Sequence, residues 1–268
     1  MNRSDLPLVS IVTIVYNGEK HMEQTIQSVL NQSYPNIEYI IIDGGSTDDT
    51  LSIIKRYETR VAYWISERDN GIADAFNKGL KRASGSIIGL INSDDWYEPE
   101  AVEKVVKDIN GSDIVYGDLK FWKNGKADFI IQGDHTHLED EMTMNHPTVF
   151  VRKKVYDRFG LFNNDYRCAM DYELMLRFKI NNCSFKHIPF VITNMRWDGI
   201  SDTRWLLGCK ETLSIKNKYL PGKRVSNQLY FYKHVLANAV PRMLGKLNLD
   251  FITRVYRSRF SKIKKSYE

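Results

Sequence analysis

The chain has 268 residues, of which 43% are hydrophobic and 26% charged, and a formal net charge of +5, the make-up of an ordinary globular protein with a sizeable core. Its three cysteines, Cys168, Cys183 and Cys209, are far apart and odd in number, and no C-x-x-C occurs. This excludes a disulfide framework and a zinc knuckle and fits a reducing compartment. No stretch approaches the ~20 apolar residues of a membrane span, and the opening MNRSDLP leads into a strand-like run without the apolar region of a signal peptide.

In chain order, Val9-Ser10-Ile11-Val12-Thr13-Ile14-Val15-Tyr16 and Ile37-Glu38-Tyr39-Ile40-Ile41-Ile42 are nearly unbroken apolar, β-branched runs. Continuous rather than alternating apolarity means that both faces are covered, as in a parallel sheet. Between them Met22, Ile26, Val29 and Leu30 recur at helical spacing. After Gly44-Gly45, Ser46 or Thr47 is placed to cap a second helix carrying Leu51, Ile53 and Ile54. A short strand follows at Val61–Ile65, a helix over about 72–82, and a fourth strand at Ser86-Ile87-Ile88-Gly89-Leu90-Ile91. This strand–helix alternation predicts an open, doubly wound α/β sheet with right-handed crossovers over the first ~100 residues.

Sheets of this kind bind ligands beyond the carboxyl ends of their strands. Those ends carry Tyr16-Asn17, Asp43, Glu67-Arg68-Asp69 and Asn92-Ser93-Asp94-Asp95. Carboxylates gathered on one rim repel one another unless a hard divalent cation sits among them, and Mg2+ or Mn2+ commonly bridges carboxylate to phosphate. The first turn, Tyr-Asn-Gly-Glu, is neither G-x-G-x-x-G nor a P-loop, which argues against a dinucleotide cofactor. From residues alone, this is a metal-assisted site for a phosphorylated, nucleotide-like ligand.

SIVTIVYNGEKHMEQTIQSVLNQSYPNIEYIIIDGGSTDDT and ERDNGIADAFNKGLKRASGSIIGLINSDDWY resemble the opening motifs of glycosyltransferase family 2, the inverting GT-A enzymes, in the subgroup that builds bacterial O-antigen, capsule and lipopolysaccharide. The similarity covers roughly 8–201. It implies a GT-A fold, a nucleotide-sugar donor (UDP-sugar by preference), and an inverting transferase of the hexosyltransferase type. LINSDD takes the place of the family's D-x-D motif, with Asn92 in the usual Asp position. The resemblance makes Asp94 the metal ligand, with Asp95 secondary, and assigns Tyr16, Asn17, Asp43, Asn70, Lys78 and Asn92 to the donor. Asp43 would accept from uracil N3–H. Ala169-Met170-Asp171-Tyr172-Glu173 resembles the family's E-D motif and makes Asp171 the general base.

Spacing supports that choice. Asp171 shares a helix face with Leu174, Met175 and Phe178, whereas Glu173 has Arg177 at i+4, the pattern of a surface ion pair. His146 is a candidate acceptor or phosphate contact, and His135-x-His137 reads as a solvated pair in an acidic loop. Arg196 is a candidate for neutralising the leaving diphosphate, and Asp198-Gly199-Ile200-Ser201 matches the family's loop after the last core strand.

The expected organisation is a GT-A domain over 1–204, divided into a nucleotide-binding half (1–100) and an acceptor-binding half (101–204), then a basic helical extension over 205–268. That extension holds fourteen Lys and Arg against three Asp and Glu, so +11 of the charge is there and −6 in the first 204 residues. Pro241 and Gly245 divide it into short helices with interleaved apolar residues. It is expected to attach peripherally to the anionic inner face of the cytoplasmic membrane, where a lipid-linked saccharide acceptor would be met. No nucleic-acid partner is expected, and the sequence is silent on oligomeric state. A nucleotidylyltransferase and a non-catalytic nucleotide-sugar-binding protein are the alternative readings, the second kept open by Asn92.

Overall fold

The computed structural model describes residues 6–196 and 204–246. Two compact units result, one up to Asp198 and one from Gly199. Asp198–Ser201 and everything after Lys246 lie outside the described residues.

In the first unit the elements are β1 (Val9–Val15), α1 (Met22–Leu30), β2 (Ile37–Asp43), α2 (Thr50–Arg56), β3 (Tyr63–Ser66), α3 (Ile72–Arg82) and β4 (Ile87–Asn92). After them come β5 (Trp96–Tyr97), α4 (Ala101–Asp108), β6 (Ile114–Lys123), β7 (Lys126–Ile131), β8 (Val149–Arg152), α5 (Lys153–Phe159), α6 (Met170–Ile180) and β9 (Phe185–Arg196). One mixed sheet runs β3-β2-β1-β4-β8-β6-β9-β5, with β7 paired to β6. β1 to β4 are parallel, β8 runs antiparallel between β4 and β6, and β6 and β9 are parallel to each other. The expected parallel α/β half is therefore present, extended by a mixed half.

Alternate residues of the buried strands feed two cores. Val12, Ile14, Ile40, Ile42 and Leu90 face α3, α5 and α6 with Phe76, Tyr156 and Phe178. Val9, Ile11, Tyr39, Ile41 and Ile91 face the other way, with Met22 and Ile26 of α1, Ile54 of α2 and Val102 of α4. Burial on both sides is the reason these strands are apolar without alternation. The second helix begins at Thr50, later than the Ser46 or Thr47 cap expected, and the Asp48 carboxylate instead accepts from the Thr50 N–H at 3.0 Å.

The second unit holds α7 (Trp205–Tyr219) and α8 (Arg224–Lys246). They pack as a hairpin: the Arg242 guanidinium lies 5.0 Å over the Trp205 ring, the Lys216 ammonium 4.1 Å over Tyr230, and Asn227 donates to Asn217 at 3.1 Å. The helical extension is as expected, but the division at Pro241 is not, because α8 runs unbroken to Lys246. Inside a helix a proline removes the bond to the carbonyl four residues back, so α8 continues past Pro241 with one backbone bond fewer. No helix among the described residues is long and apolar enough to cross a membrane.

Candidate active site

The parallel register sets Val15 beside Asp43, Asp43 beside Ser66, and Ile14 beside Asn92. Four strand ends thus open on one edge, and their loops are stitched to one another. Asn17, in the left-handed region at φ 50°, donates its N–H to Ser46 Oγ at 2.7 Å and accepts from the Thr47 N–H at 2.9 Å through its side chain. The Gly18 N–H donates to Thr50 Oγ1 at 2.8 Å, and the Gly44 N–H to the Val15 carbonyl at 2.8 Å. A Cβ on Gly18 would stand 2.6 Å from Val15 and 3.1 Å from Ser93 Oγ, so only glycine lets the first loop close on the Ser93 turn. A Cβ on Gly44 would likewise stand 2.4 Å from the Asp69 carboxylate and 3.5 Å from the Tyr16 ring. Tyr16 is 64% exposed, which makes it an aromatic wall of this corner rather than a core residue.

Asp43 has no exposed surface. Its carboxylate accepts from the N–H groups of Gly45 (3.0 Å) and Ser46 (2.9 Å), from Ser66 Oγ (2.5 Å) and from Ser46 Oγ. The group expected to read a base is here turned onto its own loop, which it shapes.

The Asn92–Asp95 turn is held from three sides. Asn92 donates its amide to Asp95 at 3.2 Å. Thr25, wholly buried on α1, shares its single hydroxyl proton between the carbonyls of Ser93 (2.8 Å) and Asp95 (2.6 Å). Arg196, at the end of β9, donates to the Asp94 carbonyl and to Gln24, and its guanidinium lies 4.5 Å over the Trp96 ring. The β5–β9 pairing, Trp96 with Asn194, delivers Arg196 to this turn. Asp95 is 1% exposed, and one of its carboxylate oxygens has no hydrogen-bond partner. Burial, reinforced by neighbouring Asp94, pushes its carboxyl well above the usual range, against the opposing pull of Asn92 and Arg196. Asp94 is half-buried.

Among the described residues no three His, Cys, Asp or Glu side chains gather closely enough to hold a cation alone. The donor set nevertheless fits a hard divalent cation shared with a ligand's phosphates: one accessible carboxylate at Asp94, and beside it a buried, unpaired carboxylate oxygen at Asp95.

At the β3–α3 corner, Asp69 accepts from the Gly71 N–H at 2.9 Å and Asp74 from that of Asn70 at 3.0 Å, leaving the Asn70 side chain on an exposed residue. Lys78, expected on a phosphate, is committed elsewhere: it pairs with Glu67 at 2.8 Å and donates to the Arg68 carbonyl at 2.9 Å. Two acceptors of one loop hold it, with Asp74 of its own helix 4.0 Å away, so it braces that loop. Asn77 bonds both backbone groups of Phe162, at 2.9 Å each, and ties α3 to the segment before α6.

α6 is buried nearly all round, and this overturns one expectation. Glu173 is 1% exposed, and its 2.8 Å pair with Arg177 is internal. Arg177 also donates to the carbonyls of Phe159 (2.5 Å) and Leu161 (2.6 Å), locking α6 to the end of α5. The i+4 pairing was legible, its depth was not. Asp171 is half-buried in the first turn of α6, and one of its oxygens is buried without a hydrogen bond. Its charge adds to the burial that raises the Tyr156 hydroxyl. His146 is 7% exposed, with its ring edge-on to Phe76 (5.2 Å) and Phe162 (5.7 Å), so the structure gives it an aromatic packing role. His135 is not solvated as expected: its Nδ1 bonds Tyr116 Oη at 2.8 Å and its ring stacks on Phe185. His137 is exposed beside Asp134 and Asp140.

Sequence reasoning missed Thr25, Gln24 and Trp96. Thr25 carried a signal, since it is the polar member of the Met22, Thr25, Ile26, Val29 stripe.

The profile of the family described as "Glycosyl transferase family 2" matches residues 10–197. An uncharacterised glycosyltransferase of Rickettsia typhi is 28% identical over 197 residues, covering 68% of this chain and 62% of the relative's own length. A putative teichuronic acid biosynthesis glycosyltransferase of Bacillus subtilis, TuaG, is 42% identical over 101 residues, 37% of this chain and 40% of TuaG. In fold, the chain resembles S. aureus TarS 1–349 in complex with UDP-GlcNAc, with a TM-score of 0.65 at 17% identity over 85% of this chain and 71% of that one. It also resembles the mannosyltransferase PcManGT of Pyrobaculum calidifontis in complex with GDP-Man and Mn2+, with a TM-score of 0.65 at 17% identity over 97% and 78%.

Proposed function

The chain belongs to glycosyl transferase family 2 and has a GT-A fold, and on that basis we propose that it transfers a sugar, with inversion, from a nucleotide-sugar donor to a saccharide hydroxyl during assembly of a cell-surface polysaccharide. The observation that carries this reading is the Ser93–Asp95 turn, clamped by Thr25 and Arg196 and closed upon by the Tyr16–Gly18 loop.

In this reading residues 1–100 bind the donor and 101–204 the acceptor. Tyr16 offers its exposed ring to the base, and Asn17 and Asn70 offer polar groups around the nucleoside. UDP-sugar is the first donor to test, since the similarly folded TarS holds UDP-GlcNAc. Asp94, with Asp95 behind it, would hold Mn2+ or Mg2+, which when bound would supply positive charge against the diphosphate. Asn92 keeps the Asp95 carboxyl in place, and Arg196 adds a cation where negative charge grows on the leaving group. Asp171 takes the proton of the acceptor hydroxyl as its oxygen bonds to the anomeric carbon. The bond from that carbon to the diphosphate oxygen breaks on the opposite face, and the electron pair leaves with the nucleoside diphosphate. General base help of this kind is worth ~10²–10⁴-fold. TuaG's printed role in teichuronic acid biosynthesis supports a cell-surface polysaccharide as the product, and the basic extension supports a lipid-linked saccharide acceptor met at the anionic cytoplasmic face of the membrane.

The test is release of nucleoside diphosphate from UDP-glucose, UDP-galactose, their N-acetyl forms and GDP-mannose, with Mn2+, with Mg2+ and in EDTA. Turnover of one UDP-sugar that EDTA stops is the expected result. Tight binding of a donor with neither hydrolysis nor transfer to any saccharide would make the protein a sensor and end the enzymatic reading.

A further inference from the structure

Along α8, Val225 (77% exposed), Leu229 (66%), Tyr232 (59%), Leu236 (60%) and Met243 (59%) stand out in solvent. Their spacings of four, three, four and seven residues put them on one line down the helix. The opposite face is engaged with α7: Asn227 is buried against Asn217, Tyr230 lies under Lys216, and Arg242 covers Trp205. A helix that has satisfied one face still displays a second apolar face five side chains long, more than scattered exposed residues explain.

The charges around that line identify the occupant. α8 contains Arg224, Lys233, Arg242 and Lys246 and no Asp or Glu. Arg224 and Lys233 are exposed, and at ~100° per residue they fall about 80–100° to either side of the apolar line. Cations flanking an apolar stripe are placed to reach upward to anionic headgroups while the stripe sinks between them. A second copy of the chain is a poorer fit: paired helices usually answer flanking cations with carboxylates, and α8 has none. The following residues 247–268 add six Lys and Arg against two Asp and Glu, the same sign of charge.

We propose that the Val225–Met243 face of α8 is a membrane-docking surface that lies along an anionic bilayer without crossing it. The assignment stands apart from the chemistry of the first unit, although a lipid-linked acceptor would be met on the same surface.

Co-sedimentation of the full chain with phosphatidylcholine vesicles, with and without phosphatidylglycerol, tests it. The unmodified chain is expected to sediment with the anionic vesicles and to be released by salt. Leu229→Gln combined with Leu236→Gln, both at exposed positions, should lower binding about tenfold or more through lost apolar burial. Arg224→Gln with Lys233→Gln should lower it severalfold on anionic vesicles alone. Nucleoside diphosphate release with a soluble acceptor should be the same in all variants, so vesicle binding without turnover would sink the transferase reading and leave this one intact. Equal vesicle binding by the unmodified chain and the leucine variant would overturn the proposal. So would equal binding to neutral and anionic vesicles, or a dimer measured by light scattering that the leucine variant abolishes.

Discussion

The two carboxylates on which the proposed chemistry rests are held in opposite ways. Asp94 sits in a turn whose backbone is pinned by Thr25 and Arg196 and whose next residue is tied to Asn92. Asp171 sits at the start of a helix anchored elsewhere, by Glu173, Arg177 and the carbonyls of Phe159 and Leu161. The first arrangement fixes the main chain and leaves the side chain accessible. The second fixes a helix several residues away and leaves the carboxylate with one buried, unbonded oxygen. The difference suits a cation site, whose ligand must already be in place, and a base, which must keep a lone pair for a proton.

The most severe way to break this comparison is at the carboxylates. Asp94→Ala should remove turnover, and Asp171→Asn should lower kcat by ~10²–10⁴ while donor affinity measured by calorimetry holds, because the amide keeps the shape but takes no proton. If Asp171→Asn weakened donor binding and spared kcat, the two roles would have to be exchanged.

Next comes the anchor of α6. Arg177→Met removes the cation 2.8 Å from the buried Glu173 carboxylate and the bonds to Phe159 and Leu161, and should cost about 3–5 kcal/mol in urea unfolding. Glu173→Gln, which keeps a hydrogen bond to Arg177, should cost less, and kcat per folded molecule should change little in either. A large kcat effect with unchanged stability would place Glu173 in the chemistry.

Thr25→Val should reduce kcat/KM about tenfold through loss of the shared hydroxyl bond, worth roughly 1–2 kcal/mol. Thr25→Ser should restore it. Both should show the same change in Mn2+ affinity, read by electron paramagnetic resonance, as in kcat/KM. Equal loss in Val and Ser would mean that packing, not the bond, matters.

The smallest effect is expected from Asn92→Asp, which sets a carboxylate against the Asp95 carboxylate. Its Tm should fall by a few degrees in EDTA and recover with Mn2+. A fall that Mn2+ leaves unchanged would give Asn92 a separate role as a neutral donor.

The parallel half was legible because its signals are local. Continuous β-branched runs gave β1 and β2, and apolar spacing gave α3 over its observed span. The candidate edge followed from where those runs stop, and the family motifs filled it in. Positions decided by distant partners were not legible. Lys78 looked free until the Glu67–Arg68 loop folded over it, and Glu173 looked solvated until Phe159 and Leu161 closed on its partner. Asn77 and His146 both proved to hold Phe162, a contact between residues far apart in the chain. Pro241 reads as a break in any window, yet α8 continues through it.

The cross-stitching of the loops at Asn17, Gly18, Gly44 and Ser46 has a consequence for motion. The Asn17 N–H ends on the Ser46 hydroxyl, the Ser46 hydroxyl also meets Asp43, and Asp43 holds the N–H groups of Gly45 and Ser46 and the Ser66 hydroxyl. No loop of this set can open without releasing protons held by another. Their amides should therefore exchange with deuterium as one cooperative group, at a common rate below that of neighbouring surface loops. A nucleotide seated anywhere on this edge would slow the whole group together, so that the proposed donor corner would answer its ligand as a single latch.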